Sequence, residues 1–131
     1  MKILTFYFDR TFGVRLPSSL AKLKPPMRIK WHQEQGFDQS MGDDKWMSIV
    51  GPKDWIVVSQ DRHFHLREAE TTAVKQHNIK CFYFPCASDS NWHSLGHFVR
   101  RHEKMIHLAN EVSSPFIFEL KKNGQFYRIE L

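Results

Sequence analysis

Four acidic residues of this 131-residue chain stand at or near the ends of apolar elements. Asp9 closes the run Ile-Leu-Thr-Phe-Tyr-Phe at 3–8, and Asp61 closes the run Trp-Ile-Val-Val-Ser at 55–59. Glu34 follows the short extended segment 27–32, and Asp43 opens Asp-Asp-Lys-Trp-Met-Ser-Ile-Val. In an open parallel α/β sheet the carboxyl ends of the strands share one edge, and ligands bind there. Carboxylates gathered on that edge repel one another unless a divalent cation neutralises them. That is the logic of a magnesium-dependent phosphoryl-transfer site.

Each acid also has a plainer role. Asp9 and Asp61 could cap the turns that leave their strands, Asp43 could be a helix cap, and Glu34 could be a solvated loop residue. Two buried strands that both end in Asp argue for a shared edge. Asp43 lies three residues before Trp46, on the flank of a core-facing stripe, which turns it toward the sheet while Asp44 turns outward.

The elements that must position these acids follow from hydrophobic pattern. Residues 2–8 read as a strand buried on both faces, a run too short for a helix. Residues 17–23 read as a helix with Pro17 in its first turn, stopped by Lys24-Pro25-Pro26. A weaker strand at 27–32, a polar loop at 33–42 and a short helix at 43–50 precede the turn Gly51–Asp54. Strands at 55–59 and 79–84 flank a polar, helix-prone segment at 67–77. A long helix at about 90–109 is capped by Ser88, Asp89 or Ser90. At about 100° per residue it places Leu95, Phe98, Val99, Ile106 and Ala109 on one side, with His102 on that apolar face. His93, His97, Arg100, Arg101 and Lys104 fall on the other. Segments 116–120 and 125–129 read as a hairpin around Lys122-Asn123-Gly124. Strands alternating with helices and then a hairpin predict an α/β fold: one domain over 1–131, with a mostly parallel central sheet flanked by helices and a carboxy-terminal antiparallel hairpin.

Composition narrows the class. A hydrophobic fraction of 41% with eleven Phe suffices for a packed core and argues against a disordered chain. No apolar run approaches the roughly 18 residues of a membrane helix. The amino terminus begins like a signal peptide, but Asp9 and Arg10 interrupt it and no small-residue cleavage site follows. A cytoplasmic protein with no membrane partner is expected. Nineteen Lys and Arg against fourteen Asp and Glu give a net charge of +5, which favours a polyanionic partner. Cys81 and Cys86 read as buried free thiols. His63-Phe-His65 and His93-x-x-x-His97 have spacings compatible with metal, but the second lies among Arg and Lys and reads better as solvated or anion-facing than as zinc-binding.

Three stretches carry a family likeness. Tyr-Phe-Asp-Arg-Thr-Phe-Gly-Val-Arg-Leu-Pro, Gly-Asp-Asp-Lys-Trp-Met and Gly-Pro-Lys-Asp-Trp-Ile-Val-Val-Ser-Gln-Asp-Arg-His-Phe together resemble the PIN-like domain of VapC-type toxins, compact relatives of PIN ribonucleases. The likeness covers 3–85 and is only in outline beyond. It places family acids on Asp9, Asp43 and Asp61, and on Glu34 by register with Phe37 and Asp43. Ser59-Gln60-Asp61 replaces the family's Thr-x-Asp and keeps the hydroxyl. Lys45 stands where an acid is common, and the loop 36–42 lacks the usual His/Pro-rich pattern.

The resemblance implies an endoribonuclease in which Asp9, Glu34, Asp43 and Asp61 hold one or two Mg²⁺ or Mn²⁺ ions, and a toxin covered by a cognate antitoxin. Arg10, Arg15, Arg62 and His63 adjoin the acids in sequence and are candidates to grip RNA phosphates. Arg100, Arg101 and Lys104 are a second basic set, for RNA or an acidic antitoxin surface. A homodimer stays open as a partner arrangement. The alternatives are a DNA nuclease and a non-catalytic nucleic-acid- or protein-binding module on the same fold.

Overall fold

The apolar runs assemble side by side into one sheet. A computed structural model describes residues 2–85 and 89–131, so Cys86 and Ser88 lie outside the described residues. The strands are β1 (Thr5–Phe8), β2 (Arg28–Trp31), β3 (Ile56–Ser59), β4 (Lys80–Tyr83), β5 (Phe116–Leu120) and β6 (Phe126–Ile129). The helices between them are α1 (Arg15–Lys22), α2 (Asp43–Val50), α3 (Glu68–Gln76) and α4 (Asn91–Glu111). The strand order is β2-β1-β3-β4-β5-β6, parallel throughout except for β6, which runs antiparallel to β5. The α/β class and the closing hairpin are as the sequence predicts.

Side-chain alternation gives the sheet two buried faces. Phe6 and Phe8 of β1, Val58 of β3 and Phe82 of β4 pack with Leu16 and Leu20 of α1 and Phe98 and Met105 of α4. Tyr7, Val57 and Cys81, on the opposite parity, pack with Trp46, Met47 and Val50 of α2 and Ala73 and Val74 of α3. Burying each large apolar side chain stabilises the fold by roughly 1.5–3 kcal/mol. Cys81 is a buried free thiol, as its apolar neighbours predict.

Local chemistry sets the element ends. α1 stops where Lys24 takes a left-handed φ of 54° before Pro25-Pro26. At the end of α2, Gly51 lets the backbone pass the end of α3. A Cβ there would lie 2.3 Å from the His77 carbonyl oxygen. Among the described residues no helix is long and apolar enough to cross a membrane.

The expected faces of α4 need correcting. Val99 is 48% exposed and His102 is only partly buried, its Nδ1 donating to the Val99 carbonyl, whereas His97 is buried. The buried stripe runs through Ser94, His97, Phe98, Met105 and Ala109. Its rotation follows from packing: the His97 ring lies 5.2 Å from that of Phe84, just past the end of β4. Ser90 is the helix cap, its hydroxyl oxygen accepting from the His93 N–H at 3.1 Å.

Candidate active site

From β1 the chain crosses outward to β2, then returns past β1 to β3. The carboxyl ends of β1 and β3 therefore flank the switch point of the sheet, where crossover connections diverge and leave a crevice. Asp9 extends β1 there, its N–H bonded to the Val58 carbonyl at 3.1 Å. Asp61 follows β3 by two residues.

Asp9 is 2% exposed. The Thr11 N–H donates to its Oδ1 at 3.0 Å, and the Thr11 and Ser59 hydroxyls also bond its carboxylate. Thr11 in turn accepts the Gln60 N–H at 2.9 Å, and its carbonyl accepts the Gln60 side-chain amide at 2.9 Å. The loops leaving β1 and β3 are thus tied together around one carboxylate. Burial raises the Asp9 carboxyl to about 6 against the hydrogen bonds from Ser59 and Thr11, and the charge of Asp43 adds to the rise.

Asp43, at the first turn of α2, is oriented by two donors. The Trp46 indole N–H reaches its Oδ1 at 2.9 Å and an Arg10 guanidinium nitrogen lies at 3.4 Å. Trp46 is itself fixed against Tyr7, ring centroids 5.5 Å apart. The helix flank read from sequence is therefore correct: Asp43 is 13% exposed at its side chain, while Asp44 is exposed.

Asp61 is on the same edge, its N–H donating to the Ser59 hydroxyl oxygen at 3.0 Å. Arg67 takes both of its oxygens, at 3.0 and 3.3 Å, and the His63 N–H adds a third bond at 3.0 Å. Burial works to raise this carboxyl, but Arg67 and His63 outweigh it and hold it below the usual carboxylate range. Glu34 stands apart, exposed in a 3₁₀ turn (Gln33–Gln35), where Oε1 accepts from the Gln35 amide at 3.0 Å.

The structure thus brings Asp9 and Asp43 into one charge neighbourhood, with Asp61 alongside and engaged by Arg67. Among the described residues, no three His, Cys, Asp or Glu side chains converge closely enough to hold a metal ion. The Asp9–Asp43 pair nonetheless fits Mg²⁺ or Mn²⁺ chemically. Both are hard oxygen donors, and the raised Asp9 carboxyl reports burial and repulsion that a cation would relieve. Mg²⁺ is commonly bound through one or two carboxylates, with water and substrate phosphate completing its shell.

The basic candidates are placed differently from one another. Arg10 binds Asp43 and donates to the Met41 carbonyl, bracing the loop before α2. Arg15 is exposed at the start of α1. Arg62 pairs with Glu119 at 3.2 Å, and His63 contacts Asp61. Lys104 is exposed and Arg100 lines a pocket beside α4. Arg101 is partly buried beneath the hairpin, where a Cβ on Gly124 would meet its guanidinium at 2.2 Å.

Sequence reasoning missed a buried pair under the site. The Tyr7 hydroxyl bonds His32 Nδ1 at 2.9 Å, and His32 Nε2 bonds the Asp38 carbonyl at 2.9 Å. A carbonyl can only accept, so Nε2 carries the proton and, in the neutral ring, Nδ1 accepts from Tyr7. Burial first, then the Asp9 charge, pushes the Tyr7 phenol up, keeping it a donor. The pair anchors the loop between Glu34 and Asp43 to β1. Its partners are 25 residues apart, and no local pattern marks them.

A family model described as "PIN like domain" matches residues 4–86, a span that contains all four acids. That is more than half of the chain, which therefore belongs to the PIN-like domain family, whose members are generally nucleases. No curated protein and no solved structure matches the chain significantly.

Proposed function

We propose that this protein is a metal-dependent endoribonuclease acting as the toxin of a toxin–antitoxin pair. The observation that carries the reading is a buried Asp9 with a raised carboxyl beside Asp43, at the switch point of a PIN-like sheet. Asp9 and Asp43 would hold Mg²⁺ or Mn²⁺, with Asp61 as a further carboxylate beside them and Glu34 outside the cluster. The bound ion supplies activation of a water and charge stabilisation at the scissile phosphate.

The chain's own residues supply the rest. Thr11 and Ser59 hold Asp9 in one orientation, and Trp46 and Arg10 hold Asp43, so the carboxylates are pre-set before substrate arrives. Arg15, at the start of α1, and Arg62 and His63, in the loop after β3, would take flanking phosphates, a grip that is independent of base identity. The toxin assignment rests on the VapC-type resemblance of residues 3–85, and the cognate antitoxin would cover the acidic edge.

The test is incubation of the purified protein and Mn²⁺ with RNA and DNA strands of the same sequence. Internal cleavage of RNA alone supports the ribonuclease. Cleavage of DNA alone transfers the site to a DNA nuclease, and binding without cleavage of either supports a non-catalytic module.

A further inference from the structure

A second polar concavity lies on α4, outside the residues that match the family. A pocket of about 200 Å³ is lined by Asp89, His93, His97, Arg100 and Lys122. Lys122 reaches it from the hairpin turn and sits 3.7 Å from Asp89, the one carboxylate among the residues that line it. His97 is 8% exposed, and its Nε2 is buried with no partner among the described residues. That nitrogen is out of reach of solvent, so His97 forms a wall of the pocket, and the exposed His93, Arg100 and Lys122 supply its basic groups. A shallower hollow adjoins the pocket, sharing His93 and Arg100 and adding Trp92, Leu95 and Gly96. Trp92 is 83% exposed, which is unusual for so large an aromatic side chain. Gly96 lies one helical turn beyond it and Arg100 one turn further, so the surface beside the indole has no side chain at its centre.

We propose that this surface is a nucleotide-binding subsite for single-stranded RNA, with a phosphate held by His93, Arg100 and Lys122 and the adjoining base stacked on Trp92. An aromatic face beside a basic pocket is the recurring means of holding a single strand without reading its sequence. The identity of the polymer rests on the ribonuclease reading above; the pocket and the platform do not. Asp89 pairs with Lys122 in the absence of ligand, and an entering phosphate would take its place on the lysine.

The experiment is fluorescence anisotropy of an end-labelled RNA octanucleotide in EDTA, where metal-dependent cleavage is off. Trp92→Ala and Lys122→Ala are each expected to weaken binding by about tenfold. Lys122→Ala should also flatten the dependence of affinity on salt by about one counterion, and Trp92→Ala should leave that slope unchanged. Inorganic phosphate should compete with the RNA for the wild type and less for Lys122→Ala. Binding is read in EDTA, without metal or cleavage, so failure of the nuclease reading would leave this result standing. Wild-type affinity in both the Trp92 and Lys122 variants, or no binding by the wild type, overturns the subsite even if cleavage is confirmed.

Discussion

Arg67 grips both carboxylate oxygens of Asp61, at 3.0 and 3.3 Å. Asp61 is therefore matched by a cation of the protein's own, whereas Asp9 is buried beside another acid. The two strand-end aspartates share an edge but not an electrostatic state. If Asp61 joins the metal site, Arg67 competes with the metal for it. Arg67→Ala should then tighten Mn²⁺ binding severalfold and let the Asp61 carboxyl rise toward its usual range. Calorimetric Mn²⁺ titration of the two proteins checks this, and unchanged affinity would place Asp61 outside the metal site.

Asp9 makes a prediction about pH. Its folded carboxyl is raised from 3.8 to about 6, so the folded state holds its proton more tightly than the unfolded one. The ionised group is therefore destabilising. The penalty is absent below about pH 4, grows through the window up to about 6, and is complete above it. Asp9→Asn should make the metal-free protein more stable at pH 7, by up to about 3 kcal/mol. That advantage should shrink as pH falls toward 4. Denaturant unfolding of both proteins in EDTA at the two pH values is the check.

Asp43→Asn and Asp44→Asn should separate a site residue from its neighbour. Asparagine keeps an oxygen for the Trp46 indole N–H, so the fold should survive at position 43 while the charge is lost. Cleavage should fall by orders of magnitude for Asp43→Asn and stay near the wild-type rate for Asp44→Asn, whose side chain is exposed. Equal effects in a single-turnover assay would reduce both acids to helix-cap roles.

The basic residues of α4 should divide in the same way. Arg100→Ala with Lys104→Ala should reduce the salt slope of RNA binding by roughly 0.7 per lost phosphate contact and leave stability unchanged. Arg101→Ala should act chiefly on the fold, because its Nε is buried under the hairpin. Gly124→Ala should lower stability by about 1–2 kcal/mol or more, since its φ is 89° and the new Cβ would press on the Arg101 guanidinium. Thermal unfolding of these variants distinguishes the two groups.

β1, β3, β4 and β5 were legible as short, largely apolar runs, whereas β2, Arg28-Ile29-Lys30-Trp31, gave only a weak strand signal. α2 was legible to the residue because Asp43 opens it and Gly51 ends it. The Asn123-Gly124 turn announced the hairpin. The face of α4 was not legible, because His97 is polar by type and buried by its contact with Phe84, thirteen positions earlier in sequence. In the site, strand ends and the Trp46 stripe pointed to Asp9, Asp43 and Asp61. Arg67 went unseen, since it is a surface arginine by composition and acquires its role through a loop that folds back on Asp61. Tyr7 lies on β1 and His32 just past the end of β2, and only the β1–β2 pairing brings them together.

The central claim is that carboxylate-held metal at Asp9 cuts RNA. The most direct measurement follows cleavage of a labelled RNA by purified wild type and Asp9→Asn protein, with Mn²⁺ titrated from zero and EDTA as control, alongside Mn²⁺ binding. Wild-type cleavage should rise with occupancy of a Mn²⁺ site and vanish in EDTA, and Asp9→Asn should remain folded while losing both binding and cleavage. Cleavage that persists in EDTA, or that Asp9→Asn retains in full, would contradict the account.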